Sequence, residues 1–512
     1  MDRHGKHTRW NLLAVRAQNG AVRRRSISLS LALFALFVGW ALVSPVGSSP
    51  DDDYHLASIW CSGGVVEAYC EESPVNEGDL LVPEEVAAAH ACYAFRADRN
   101  ASCADGLTAN LIPVSHVNQK RNLYPPVFYA TMGLFVGPDV ERSVVVMRIV
   151  NSLVAALGLL AALLTVPLGI ARSLVTATLI VYVPLGFFLV PSTNPTSWAL
   201  TGIATFWAFA LGLLTSTSWR ARRTWIAAVG SVVGAVMAMG SRLDAAVYLS
   251  IVLIVVSITV GRARLRRSLP AVGLLGVLAL AGLITYWSIQ PTVTQGRGPT
   301  SLANPGPFVF FENLLSVPGY LFASYAGPLG WLDTLIPTFI PVAGLLIVGA
   351  VLYRQVSLGK SLVLAATVVA LGAYVAVPAV FLQLSGLRVG ELIQARYLLP
   401  LLVVLVGTAG LNPRIRRSFP WPSPAAIAVT GLLMSASLAA LWFNARRYAL
   451  ESGTGRVLDP RAQLSWTGIT ELPWWLVITV GLVGTIAVYL VGYTFFVTER
   501  KGFPKVASRP AR

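Results

Sequence analysis

Uncharged, apolar runs of about 18 or more residues recur along the chain, separated by short arginine-containing or longer mixed polar segments. At 1.5 Å per residue, each run is long enough to cross the roughly 30 Å hydrocarbon core of a bilayer as a helix. Spans are expected near residues 28–46, 147–168, 173–191, 197–215, 225–241, 245–261, 268–290, 335–353, 361–382, 396–411, 424–444 and 474–497, about twelve in all. Pro184 interrupts the third, and 225–241 is rich in glycine and other small residues. Inside a helix bundle, neighbouring helices can satisfy the backbone groups such breaks release. The pattern predicts an all-α integral membrane protein.

The segments between spans are unequal. One side carries brief, arginine-rich connections; the other carries 47–146, 291–334, 383–395 and 445–473. Elaborate loops on one face of a bundle place the work of the protein at that face. Within 47–146, Pro83 followed by Glu84 and Glu85 predicts a helix start, because proline fits the first turn and acids suit its dipole. The apolar stretch opened by NLYPPVFY (122–129) and closed by Gly137-Pro138 is too short to span and is expected at the membrane surface, as is the aromatic 308–332 segment.

Composition agrees with the pattern. Of the 512 residues 55% are hydrophobic and 12% charged, against about 25% charged in an ordinary soluble domain. The net charge of +16 sits in clusters: the basic tail 1–27, Arg220/Arg222/Arg223, Arg262/Arg264/Arg266/Arg267, Arg354/Lys360, Arg414/Arg416/Arg417 and the tail 498–512. All fall on the side shared with the N-terminus, which the positive-inside rule makes cytoplasmic, with both termini there. On this map only Asp2 and Glu499 of the 23 acids are cytoplasmic. The charge is topological, and it is no sign of a nucleic-acid partner. The first run follows a long basic segment and nearly reaches spanning length, so it reads as an uncleaved anchor although Val46-Gly47-Ser48-Ser49 imitates a cleavage site.

All four cysteines (Cys61, Cys70, Cys92 and Cys103) lie in the 47–146 segment. An even set confined to one non-cytoplasmic loop, without C-x₂-C spacing, predicts two disulfides in any of three pairings. No phosphate-binding glycine loop, HExxH motif or nucleophile elbow occurs, which argues against ATP hydrolysis and zinc-protease chemistry.

Polar groups stand where helices leave the bilayer: Asp51, Asp52, Asp53 and His55 in SSPDDDYH; Asn194 in PSTNPTSW; Arg242 and Asp244 in GSRLDAA; Gln394, Arg396 and Tyr397 in QARYLLP; and Arg148 with Asn151 at the second span. Charges at such depth are costly and usually functional. Each also has a plain reading: a solvated collar for the acids, a turn for Asn194, interfacial anchoring for Arg148, Arg242 and Arg396. His90 and His116 show no partner in the sequence.

Several stretches together resemble the bacterial domain-of-unknown-function family 2142: PDDDYH, YPPVFYATMG, MRIVNSL, STNPTSW, GPLGWLDTLIP (which holds Asp333) and QARYLLPL, in the family's order over most of 30–410. The family has Asp-Glu-Pro after its proline, where this chain has Asp51, Asp52 and Asp53, so the equivalent acid stays open. The layout is also similar to the GT-C glycosyltransferases. That resemblance implies a sugar on a polyprenyl phosphate, a glycan or cell-wall acceptor, membrane lipids as surroundings, and a bacterial plasma-membrane location. It implies Asp51 or Asp52 as general base, with His55 beside it. Arg396, Tyr397, Gln394, Arg148, Arg242, Asn194 and Asp333 become candidate substrate contacts. No cofactor is implied, and a divalent metal is left open. The alternatives are a flippase or transporter of lipid-linked sugars and a non-catalytic partner in envelope assembly. The absence of repeats and of midplane charges favours the enzyme.

Overall fold

The computed structural model describes residues 3–216, 218–293, 306–326, 329–391, 393–414, 421–449 and 473–497; for 3–19 and 290–293 this is the helical backbone alone. The tail 498–512, and parts of the segments 291–334 and 445–473, lie outside the described residues. Each of the twelve expected spans overlaps a helix, with ends that differ by several residues, the first stopping at Leu42 instead of 46: α1 (Arg3–Leu42), α6 (Val140–Thr165), α7 (Leu168–Val181) with α8 (Phe187–Leu189), α9 (Thr196–Leu214), α10 (Arg222–Met239), α11 (Leu243–Val260), α13 (Leu269–Val293), α16 (Phe339–Ser357), α17 (Leu362–Ser385), α18 (Ala395–Ala409), α19 (Ser423–Ala449) and α20 (Trp474–Phe496).

Among the described residues ten helices are long and apolar enough to cross a membrane, fewer than the twelve expected. Two arginines and its glycines lower the hydropathy of α10, and α18 has 15 residues, about 22 Å of rise. Pro184 ends α7 as expected, the chain passing through one wide turn (Tyr182–Gly186) into α8. At the centre stands α9, whose whole span is buried inside the bundle. The pair α1 and α20 packs backbone to backbone, since a Cβ at Gly39 would meet the Gly481 Cα at 2.3 Å.

Between α1 and α6 the chain builds a small domain with its own apolar core, including Tyr54, Leu56, Val82, Phe128 and Met147. It holds α2 (Asp52–Trp60), a three-stranded antiparallel sheet, α3 (Glu84–Ala88), α4 (Asn118–Arg121) and α5 (Pro126–Gly133). The strands are β1 (Glu71–Glu72), β2 (Leu80–Pro83) and β3 (Leu111–Val114), in the order β1-β2-β3 with Leu80 opposite Val114. The sheet was not expected; its strands are too short to show an alternating pattern. The disulfides are Cys61–Cys70 and Cys92–Cys103, which settles the pairing. Helix α3 begins after Pro83 as predicted. The stretch around α5 does not lie free on a surface: Phe128, Tyr129 and Met132 are buried, and Phe128 packs edge-on against Trp198. The remaining short helices are α12 (Arg262–Arg267), α14 (Pro307–Ser316) and α15 (Pro318–Ala326). Along α14, Phe308, Phe311 and Leu315 form an exposed apolar face, as an interfacial segment requires.

Candidate functional site

The turn between α1 and α2 is the foundation of the site. Residues 43–50 are all buried, so their backbone carbonyls need partners away from water. Distant side chains supply nearly all of them. Arg148 donates to the carbonyls of Ser44 and Pro45, Tyr93 to Val46, and Trp331 Nε1 to Gly47 at 2.8 Å. Tyr448 reaches Ser48 at 3.5 Å, and Asn194 Nδ2 donates to Pro50 at 2.7 Å. The Ser49 carbonyl accepts from the Asp52 N–H. Five elements thus clamp one turn, and the residue it delivers is Asp51.

Asp51 has φ 58° and ψ 25°, a left-handed conformation that costs a side-chain-bearing residue roughly 1–2 kcal/mol and that aspartate tolerates better than most. It stands at the N-cap of α2 without capping it. Its side chain instead meets Arg396, Oδ2 to Nη2 at 2.5 Å. The Arg396 side chain is 3% exposed and that of Asp51 39%, so the pair opens outward through the carboxylate.

Asp52 goes the other way and is fully buried. It accepts from the Ser49 N–H at 3.0 Å and the Thr193 hydroxyl at 2.8 Å, with Arg148 at 4.0 Å. Burial pushes its pKa up to about 6, outweighing Arg148, Thr193 and Ser49, which pull it down. Asp53 pairs with His116 at 3.5 Å. Burial works against its ionisation, yet the hydrogen bond and charge of His116 and the charge of His90 hold it below the usual carboxylate range. His116 therefore has a partner that the sequence did not reveal, and so does His90, stacked on Trp331.

Around Asp51 and Arg396 lies an aromatic and cationic cluster. Arg242 holds Asp244 with two hydrogen bonds, at 2.9 and 3.0 Å, and reaches the Thr196 hydroxyl at 3.3 Å. Its guanidinium lies 4.1 Å from the centre of the Tyr397 ring and 5.7 Å from that of Tyr124. Arg396 lies 5.1 Å from the same Tyr397 ring and donates to its hydroxyl at 3.2 Å. Tyr397 is thus shared by two guanidiniums. His55 is buried, with Nδ1 2.8 Å from the Tyr129 hydroxyl and its ring edge-on to Tyr124. Burial keeps the His55 pKa well below the usual value, and Arg396 and Arg242 push in the same direction, so the ring is neutral. Two buried atoms in this cluster make no hydrogen bond, His55 Nε2 and Arg396 Nε, and neither does Gln394 Oε1 at the N-cap of α18. Such orphans mark a place where a ligand or solvent completes the structure.

The cluster therefore joins Asp51, His55, Arg242, Arg396 and Tyr397, and Gln394 stands next to it in the chain as the N-cap of α18. Four other candidates serve the scaffold. Arg148 and Asn194 hold the α1–α2 turn, and Asn194 Oδ1 also caps α9 through the Thr196 N–H at 2.9 Å. Asp52 braces the same turn. Asp333 is buried against Arg447 at 2.9 Å, and Arg447 also donates to the carbonyls of Tyr93, Arg96 and Arg99. Sequence reasoning assigned no role to Tyr124 and Tyr129, although both stand in YPPVFYATMG. Among the described residues no three His, Cys, Asp or Glu side chains form a metal-holding group. A small recess lined by Arg172, Arg354, Gln355 and Trp421 among others lies at the arginine-rich end and shares no residue with the cluster.

The family model described as predicted membrane protein (DUF2142) matches residues 34–405, most of the chain and all of the cluster. The chain belongs to this family. Neither the curated proteins nor the solved structures contain a match to it. Family membership agrees with the bundle of apolar helices and leaves the chemistry to the site itself.

Proposed function

We propose that the protein is a membrane glycosyltransferase that moves a sugar from a polyprenyl-phosphate donor to a cell-envelope acceptor at the extracytoplasmic face of the bacterial plasma membrane. The observation that carries this reading is the Asp51–Arg396 pair: a water-reachable carboxylate beside a buried guanidinium, at the end of the bundle away from the arginine clusters. In the reaction the acceptor hydroxyl gives its proton to Asp51 while its oxygen bonds to the anomeric carbon. The bond from that carbon to the donor phosphate breaks, and the polyprenyl phosphate leaves with the electron pair. Arg396 suits the growing negative charge because it stays cationic and offers a planar fork to phosphate oxygens.

Between the two acids the geometry favours Asp51 as base. Asp52 has both oxygens engaged and no contact with water. The test is sugar transfer by purified full-length protein supplied with a panel of polyprenyl-phosphate sugars. Asp51→Asn should lower transfer about a hundredfold or more, since the isosteric amide cannot take the proton. Asp53→Asn should stay near wild type. Unchanged transfer by Asp51→Asn overturns the reading.

A further inference from the structure

The two groups given separate jobs above are bound to each other. Asp51 Oδ2 sits on Arg396 Nη2 at 2.5 Å. While it does so, that carboxylate oxygen is occupied and the guanidinium is charge-compensated. The pair is also incomplete. Nε and Nη2 form the side-on fork of an arginine, and here only Nη2 is used: it holds Asp51 and the Tyr397 hydroxyl, while the buried Nε makes no hydrogen bond. A phosphate can place two oxygens on that fork, where Asp51 places one.

We propose that the Asp51–Arg396 ion pair is a latch which the phosphate of the lipid-linked donor opens, taking Arg396 and releasing Asp51 to act as base. This rests on the glycosyltransferase reading and deepens it. A buried donor left unpaired carries a desolvation penalty, and exchange relieves it by filling Nε as well as Nη2. The incoming negative charge also repels the displaced carboxylate, which already faces solvent. The donor must therefore bind before the acceptor is activated. A base locked until the sugar phosphate is seated does not waste the donor on water.

The latch makes a prediction opposite to that of an ordinary binding residue: removing Asp51 strengthens phosphate binding. The experiment measures binding of farnesyl phosphate, and separately of inorganic phosphate, to purified full-length protein in detergent. Asp51→Asn removes the competing charge. Asp51→Gly does the same with a residue at ease at φ 58°, so a folding defect in one variant does not decide the outcome. Both should bind farnesyl phosphate at least about fivefold more tightly than wild type, the lower end of typical coupling between linked sites, and both should lose transfer. Arg396→Lys should bind it more weakly. Equal or weaker binding by the Asp51 variants, with clear binding by wild type, overturns the latch and leaves the glycosyltransferase reading standing. No binding of farnesyl phosphate by any of the proteins overturns that reading too. Inorganic phosphate bound as tightly as farnesyl phosphate overturns the lipid as the source of the phosphate.

Discussion

Replacing Asp52 with asparagine separates a scaffold carboxylate from a catalytic one. Asp52 is fully buried, and its pKa is raised from 3.8 to about 6, first by burial, against the pull of Arg148, Thr193 and Ser49. The unfolded chain releases the same proton near pH 3.8. Between those two values the folded protein holds a proton that the unfolded chain has lost, so low pH favours the fold. That advantage fades as pH rises through about 6, above which the fold carries a buried ion. At about 1.4 kcal/mol per pH unit, the shift is worth about 3 kcal/mol across this window. Asparagine cannot titrate and removes the whole of it. It keeps an acceptor for Thr193 but turns an NH₂ toward the Ser49 N–H and Arg148, a pH-independent cost of about 1–3 kcal/mol.

The assay is unfolding of wild type and Asp52→Asn in detergent at pH 4, 5, 6 and 7. The difference between the proteins should move by about 2 kcal/mol in favour of the variant from pH 4 to pH 7, since part of the window lies below pH 4. His55 acts in the other direction: its depressed pKa gives stability that is present above the usual histidine value and is lost as pH falls below it. Because both proteins contain His55, its effect cancels in the difference. A difference that is flat with pH, or that moves against the variant, refutes the account of Asp52 as a buried ionisable brace.

Two further substitutions probe the frame around the site. Arg148→Met should destabilise the protein by about 3–5 kcal/mol, because Asp52 loses its counter-charge and the Ser44 and Pro45 carbonyls lose their donor; unfolding in detergent measures it. Gly39→Ala should cost about 1–3 kcal/mol or more, since the new methyl meets the Gly481 backbone, whereas Gly276→Ala, with open space around it, should be neutral or stabilising in the same measurement.

Much of this architecture was readable from the sequence because a membrane enforces simple rules. Every expected span falls largely on helix, and ten helices among the described residues are long and apolar enough to cross a membrane, since hydrocarbon leaves the backbone no other partner. The confinement of four cysteines to one segment pointed to two bridges, and Pro184 broke its helix where it stood. Asp51, Arg396, Tyr397 and Arg242 stood out as charged or aromatic groups at helix ends. Their meeting was not legible. Asp51 and Arg396 are 345 positions apart, and hydrophobic periodicity tells which face of a helix is buried without naming its neighbour. The same limit hid the clamp, in which Tyr93, Trp331 and Tyr448 read as ordinary aromatic residues until their polar atoms are traced to the carbonyls of one turn. Asp333 looked like a site residue because its motif did; the reason for its charge is Arg447, from a helix end that sequence could not place beside it.

The run Asp51-Asp52-Asp53 shows what that clamp accomplishes. Three adjacent acids would repel one another if they pointed together, and α2 offers its N-terminal dipole to all of them. The left-handed backbone at Asp51 breaks the run, and the helical turn that follows separates the other two. Asp51 reaches Arg396, Asp52 reaches Thr193 and Arg148, and Asp53 reaches His116. Each carboxylate has a different partner beside it, so the three are held apart one by one. Only the first keeps a face to water together with a guanidinium that a phosphate could claim. A turn free to relax would let Asp51 leave its left-handed conformation and cap α2 instead, which is what an aspartate at an N-cap ordinarily does. Holding the carbonyls that lead up to it, the adjacent Pro50 among them, withholds that option and keeps the carboxylate on Arg396. The rigidity of the turn and the reactivity proposed for Asp51 are therefore one feature: loosening the frame through Arg148 or Asn194 should cost function even where the cluster itself is untouched.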